Sequence, residues 1–178
     1  MHPKELKKVK NNTGRFTHLS LENSHLFVGI DFSHHEKINE IIATHNAYVL
    51  FPSENALNLS HTPPENFRDK ELAIFLIDST WSCTKKIFEK STNLQKLQHM
   101  SFTTKQKSRY EIKEQPHSNY LSTIESTLVV LEALNKHKIE DIASSNLQGF
   151  LNPFLNMVAY QKKLILGSEA NMARYKRH

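Results

Sequence analysis

Apolar residues along this chain fall into two patterns: short continuous runs between polar or turn-forming residues, and longer stretches whose apolar positions recur at helical spacing. Continuous runs of branched and aromatic residues read as strands buried on both faces, and the periodic stretches as amphipathic helices. Leu26–Ile30, Ala47–Phe51 and Leu72–Ile77 are of the first kind, with Pro52 closing the second of them, and Leu97–Phe102 is expected to be another strand. His34–Thr44, with Ile38, Ile41 and Ile42 on one side, is of the second kind. So is the stretch 81–90, which turns Trp81, Ile87 and Phe88 inward. Between Ser53 and Lys70, Pro63-Pro64 and several asparagines predict a loop holding at most a short helical turn. This alternation predicts right-handed crossovers and a mostly parallel sheet flanked by helices, an α/β fold.

Beyond Phe102 the character changes. Ser122–Lys138 predicts an amphipathic helix that opens on a capping box, Ser122-Thr-Ile-Glu125, and continues through Leu128, Leu131 and Leu134. A second helical region is expected over Ser144–Leu166, started or kinked by Pro153. The basic tail, about 168–178, is expected to be mobile. At 178 residues, without repeats or low-complexity tracts, the chain predicts a single domain over 1–178.

The first strand-to-helix junction with chemistry in it is Leu72-Ala-Ile-Phe-Leu-Ile-Asp78-Ser79-Thr80-Trp81. It places Asp78 at the carboxyl end of a parallel strand and beside a helix N-terminus, the edge where open α/β sheets bind ligands. The same residues also suit a plainer role, since Asp, Ser and Thr are preferred helix N-caps and a lone Trp usually fills core. Composition excludes some classes. A single cysteine, Cys83, rules out an internal disulfide and fits a reducing cytoplasm, and it reads as a packed thiol. No apolar stretch approaches the about 20 residues that span a bilayer, and the polar, basic start predicts no secretory signal. Adjacent His34 and His35 project about 100° apart on a helix and cannot easily share an ion, so no metal site is expected despite eleven histidines. Lys plus Arg total 23 against 18 acids, a net charge of +5 that is compatible with a polyanionic partner.

The order of the motifs resembles the DTW-domain family, the tRNA-uridine aminocarboxypropyltransferases. The family's Asp-x-Thr-Trp after a hydrophobic strand is matched by Asp78, Thr80 and Trp81. Its His-Pro-x-Glu and Asn-Thr-Gly-Arg elements are matched by His2-Pro3-Lys4-Glu5 and Asn12-Thr13-Gly14-Arg15. Leu50-Phe51-Pro52-Ser53 fits its Tyr/Phe-Pro-Ser strand end. Ser108-Arg109-Tyr110, Gln115-Pro116 and Leu121-Ser122-Thr123-Ile124-Glu125 fit the downstream elements. The resemblance covers residues 2 to about 135. It implies a SPOUT-like fold whose C-terminal part is knotted, and transfer of the 3-amino-3-carboxypropyl group of S-adenosylmethionine to N3 of a tRNA uridine, releasing methylthioadenosine. Two departures stand against it. The cysteine-rich segment and first strand that the family carries ahead of His-Pro have no counterpart here, and Lys113 stands where many relatives have Arg.

On this resemblance Asp78, Thr80 and Trp81 are the catalytic candidates, with Asp78 as the carboxylate that polarises or ionises the uridine N3–H. The donor site would draw on Thr13, Gly14, Arg15, Leu50, Phe51, Pro52, Ser79, Gln115, Leu121, Ser122 and Thr123. Within it, Arg15, Ser122 and Thr123 are expected to bind the donor's carboxylate and Gly14 to admit a close approach. Leu50, Phe51 and Pro52 are expected to wall the adenosine. Trp81 either stacks on that ring or braces the loop, and Glu125 is either a cap or a site residue. Lys105, Lys107, Arg109, Tyr110 and Lys113 are candidates for tRNA contact, and the same lysines also suit a solvated edge strand. Dimers are common on this fold, but no patch in the sequence demonstrates a homodimer. Other classes remain open at this point: a SPOUT-like S-adenosylmethionine-dependent RNA methyltransferase, and a non-catalytic RNA-binding relic with a truncated start.

Overall fold

The computed structural model describes residues 1–8, 12–65, 69–112 and 120–175, with the backbone alone described at 7, 8, 81, 82 and 168–175. Among the described residues four strands form an entirely parallel sheet in the order β2-β4-β1-β3, comprising β1 (Asn46–Leu50), β2 (Leu57–Asn58), β3 (Leu72–Leu76) and β4 (Gln98–Ser101). The central pair is in register over its full length, from Asn46 opposite Leu72 to Leu50 opposite Leu76. The helices are α1 (Pro3–Lys8), α2 (Thr13–Leu19), α3 (Glu36–Thr44), α4 (Trp81–Lys90), α5 (Thr92–Gln95), α6 (Thr123–Lys136), α7 (Ser144–Gly149) and α8 (Asn152–Tyr175).

Period-two alternation divides the strand side chains between two cores. Tyr48, Leu50, Leu72 and Ile74 join Met100, Val130 and Leu134 on the face covered by α6. Phe75 and Ile77 turn the other way, toward Ile38, Ile87 and Leu94 of α3, α4 and α5. Packing against a core on each face is why β3 reads as an unbroken apolar run. A third core lies beyond the sheet, where Ile124, Leu151, Phe154 and Val158 pack with Phe16, Tyr110 and Leu128. It binds α2, α6 and α8 to one another.

Several boundaries differ from the sequence pattern. The apolar segment 26–30 is not a strand: its Gly29 N–H donates to the Met1 carbonyl at 3.1 Å, and it joins no ladder. Phe27 is instead drawn into the α3–α4 core, while Val28 stays 43% exposed. Within the expected loop 53–70, β2 pairs Leu57 with Met100 and Asn58 with Ser101, too short a strand to leave a periodic trace. Pro153 sits in the first turn of α8, where its missing N–H costs nothing. The helix runs on to Tyr175, so the backbone of 168–175 is helical where a free tail was expected.

Candidate active site

The polypeptide leaves β3 and reaches Asp78 just past the carboxyl edge of the sheet. Although Asp78 lies beside α4, it does not cap that helix. Thr80 holds the N-cap position, and the turn is braced by Ser79 Oγ against Thr84 Oγ1 at 2.8 Å. The Asp78 carboxylate turns instead toward α6 and α2. It is 6% exposed, and its Oδ1 accepts a hydrogen bond from the Thr123 hydroxyl at 2.7 Å. Oδ2 is buried with no hydrogen-bond partner among the described residues. A buried polar atom without a partner costs about 1–3 kcal/mol, so native structures keep few of them and commonly for function.

Gly14 closes the carboxylate from the α2 side. A β-carbon at Gly14 would stand 2.4 Å from Asp78 Cγ and 2.7 Å from each carboxylate oxygen. Helix α2 is set there by its N-cap, Asn12, whose side chain accepts from the Arg15 N–H at 3.0 Å. Thr13 and Gly14 are buried, and the side chain of Arg15 is exposed.

Thr123 is the first residue of α6, and the start of that helix is fixed by Glu125. The buried Glu125 carboxylate accepts from the Ser122 N–H at 2.8 Å and from the Ser122 hydroxyl at 2.6 Å, both at Oε2. It also accepts from the Ser108 hydroxyl at 2.9 Å and the Arg109 N–H at 2.6 Å. Glu125 therefore completes the capping box and ties segment 108–110 to the helix start. Ser122 spends its hydroxyl proton on this acid.

The remaining expected site residues are spread more widely. Leu50 belongs to the α6-side core, Pro52 is exposed, and Leu121 is half-buried just ahead of Ser122. The Phe51 ring stacks on Phe88 at 4.9 Å with His99 edge-on to both, so it stands in an aromatic cluster past β1. Thr80 is exposed. Trp81 opens α4, its side chain not among those described, and Lys113 and Gln115 lie outside the described residues. Lys105, Lys107 and Arg109 are exposed, Arg109 bordering a shallow groove with Leu128, Glu132 and Leu155. Tyr110 is half-buried, its ring edge-on to Phe154 at 5.2 Å. Burial raises the Tyr110 phenol above its ordinary value, and the negative charges of Glu5 and Asp78 add to that rise.

His2 and Glu5 belong to this region without having been assigned a role from sequence. The His2 N–H donates to the Asp78 carbonyl at 3.2 Å, and the residue is only 4% exposed. Its Nδ1 accepts from the Lys4 N–H at 3.1 Å, which leaves the proton of the neutral ring on Nε2. The signal was available, since both residues stand in the His-Pro-x-Glu element.

These residues come from the chain start, the β3 end and the α6 start, and the DTW-domain family model matches residues 1–162, spanning all of them. The chain belongs to the DTW-domain family. It is 34% identical over 92 residues to "tRNA-uridine aminocarboxypropyltransferase 2" of Macaca fascicularis and 35% identical over 92 residues to the protein of the same name in Mus musculus. Each alignment takes in 50% of this chain and 30% of the relative, so the chain covers less than a third of those proteins' length. No solved structure matches the chain. Among the described residues no cluster of His, Cys, Asp and Glu could hold a metal ion, and no helix is long and apolar enough to cross a membrane.

Proposed function

We propose that this DTW protein transfers the 3-amino-3-carboxypropyl group of S-adenosylmethionine to N3 of a tRNA uridine, with Asp78 as the base. The observation that carries the reading is the buried, unpartnered Asp78 Oδ2 at the carboxyl edge of the sheet. An orphaned carboxylate oxygen calls for an N–H donor, and uridine N3–H is one. The names of the relatives, tRNA-uridine aminocarboxypropyltransferases, support the transferred group and the tRNA uridine as its acceptor. The start of α6, whose first-turn N–H groups lack carbonyl partners within the helix, suits the donor's carboxylate.

The donor, when bound, supplies an electrophilic methylene and a sulfonium leaving group, which departs as methylthioadenosine. The protein's part is to align and to manage one proton. Asp78 Oδ2 accepts the proton of uridine N3 as the ring nitrogen attacks, and the low exposure of the carboxylate keeps competing water away. Exposed Lys105, Lys107 and Arg109 approach tRNA phosphates from the segment that Glu125 holds. A SPOUT-like, knotted arrangement of the C-terminal part and a cytoplasmic setting belong to the same reading, the latter in keeping with the single cysteine.

The test is a transfer assay on unmodified tRNA with S-adenosylmethionine labelled in the aminocarboxypropyl group, read as nucleoside masses. Uridine carrying the labelled group is the expected product. A methylated nucleoside would instead assign the chain to methyl transfer, and no product together with no donor binding would leave it an RNA-binding protein.

A further inference from the structure

Two residues expected to contact the donor face the acid instead. The Thr123 hydroxyl donates to Asp78 Oδ1 at 2.7 Å, and Gly14 packs so closely on the same carboxylate that a β-carbon there would overlap it. A hydroxyl has a single proton, so while Thr123 binds Asp78 it has none for the carboxylate of a ligand. Oδ1 thereby accepts one hydrogen bond, whereas the buried Oδ2 accepts none among the described residues. Thr123 is itself fixed by its helix: its carbonyl accepts from the Thr127 hydroxyl at 2.8 Å, and Glu125 locks the residue before it.

We propose that Thr123 is a positioning residue, whose hydroxyl, with Gly14 packed against the carboxylate, holds Asp78 so that Oδ2 rather than Oδ1 meets the reacting proton. The proposal rests on the reading of Asp78 as the base. It replaces the expectation that Thr123 binds the donor. The two roles make different predictions. A donor ligand contributes mainly to binding, so its loss raises KM. A residue that orients the base contributes in the transition state, so its loss lowers kcat.

The test compares Thr123→Val, which keeps the shape and loses the hydroxyl, with Thr123→Ser, which keeps the hydroxyl. The Val variant is expected to lower kcat by about tenfold to a hundredfold, the loss of one hydrogen bond to a charged group, with KM for S-adenosylmethionine within about twofold. The Ser variant should recover most of the rate. A second readout is independent of turnover: the carboxyl carbon of Asp78 in protein labelled with carbon-13 at aspartate Cγ, assigned by its disappearance in Asp78→Asn. Its resonance should move in the Val variant and stay in place in the Ser variant. A Val variant with raised KM and unchanged kcat overturns the proposal and returns Thr123 to donor binding. An unmoved resonance in both variants overturns the hydrogen bond itself. A parent chain without transferase activity refutes the base reading and the catalytic role of Thr123 with it, while the resonance still decides whether Thr123 holds the carboxylate.

Discussion

Gly14 and Asp78 are in contact with no room between them: a β-carbon on Gly14 would lie 2.4 Å from the Asp78 carboxylate carbon. The contact explains a glycine in a helical position, where it costs about 1 kcal/mol against alanine. Gly14→Ala should therefore destabilise the protein by about 1–3 kcal/mol through overpacking, or push Asp78 off Thr123. Either way transfer should fall. Chemical denaturation and turnover, measured together, check this, and a fully active Gly14→Ala protein would contradict the contact.

Glu125 should prove structural. Its carboxylate serves the Ser108 and Ser122 hydroxyls and the Arg109 and Ser122 N–H groups. Glu125→Ala strands several of these donors in the interior, so the expected loss is about 3 kcal/mol or more in unfolding free energy. A urea titration with a shift below about 1 kcal/mol would refute the clamp.

Tyr110 should make the protein sensitive to alkali. Its folded phenol titrates above the ordinary value of 10.0, chiefly because it is buried. The folded state then holds a proton that the unfolded chain has already released. Stability from Tyr110 is complete below pH 10.0 and is lost as pH rises from there through the raised folded value. Tyr110→Phe should fall less steeply over that window. Unfolding midpoints at pH 9 and about pH 11 compare the two proteins.

Lys105 and Lys107 are exposed and are proposed to meet phosphate. Replacing both with alanine should weaken tRNA binding and reduce the slope of log affinity against log salt by about 0.7–0.9 for each phosphate no longer neutralised. Donor affinity should not change. An unaltered salt slope would remove these lysines from the RNA surface.

The β3–α4 junction was legible in the sequence because a strand packed against a core on each face leaves a continuous apolar run, and Leu72–Leu76 has no polar break. The start of α6 was legible because Ser122 and Glu125 satisfy each other locally. What joins them was not. Thr123 and Asp78 are 45 positions apart, and no local pattern announces a hydrogen bond between them. Nor does the sequence announce that Gly14 packs against the Asp78 carboxylate, 64 positions away. The run 26–30 misled for a related reason. Apolar content signals burial, which Phe27 obtains against α3 and α4, whereas a strand also needs a ladder partner.

The central claim is that Asp78 takes the uridine proton, and Asp78→Asn tests it most directly. The amide keeps an acceptor for Thr123 and nearly the same shape, so the fold and donor binding should persist. Nucleoside masses from tRNA treated with parent and variant are then compared at saturating S-adenosylmethionine. The account predicts aminocarboxypropyl-uridine from the parent, and a rate from the variant lower by about a hundredfold or more. A variant that forms this product at the parent's rate would contradict it.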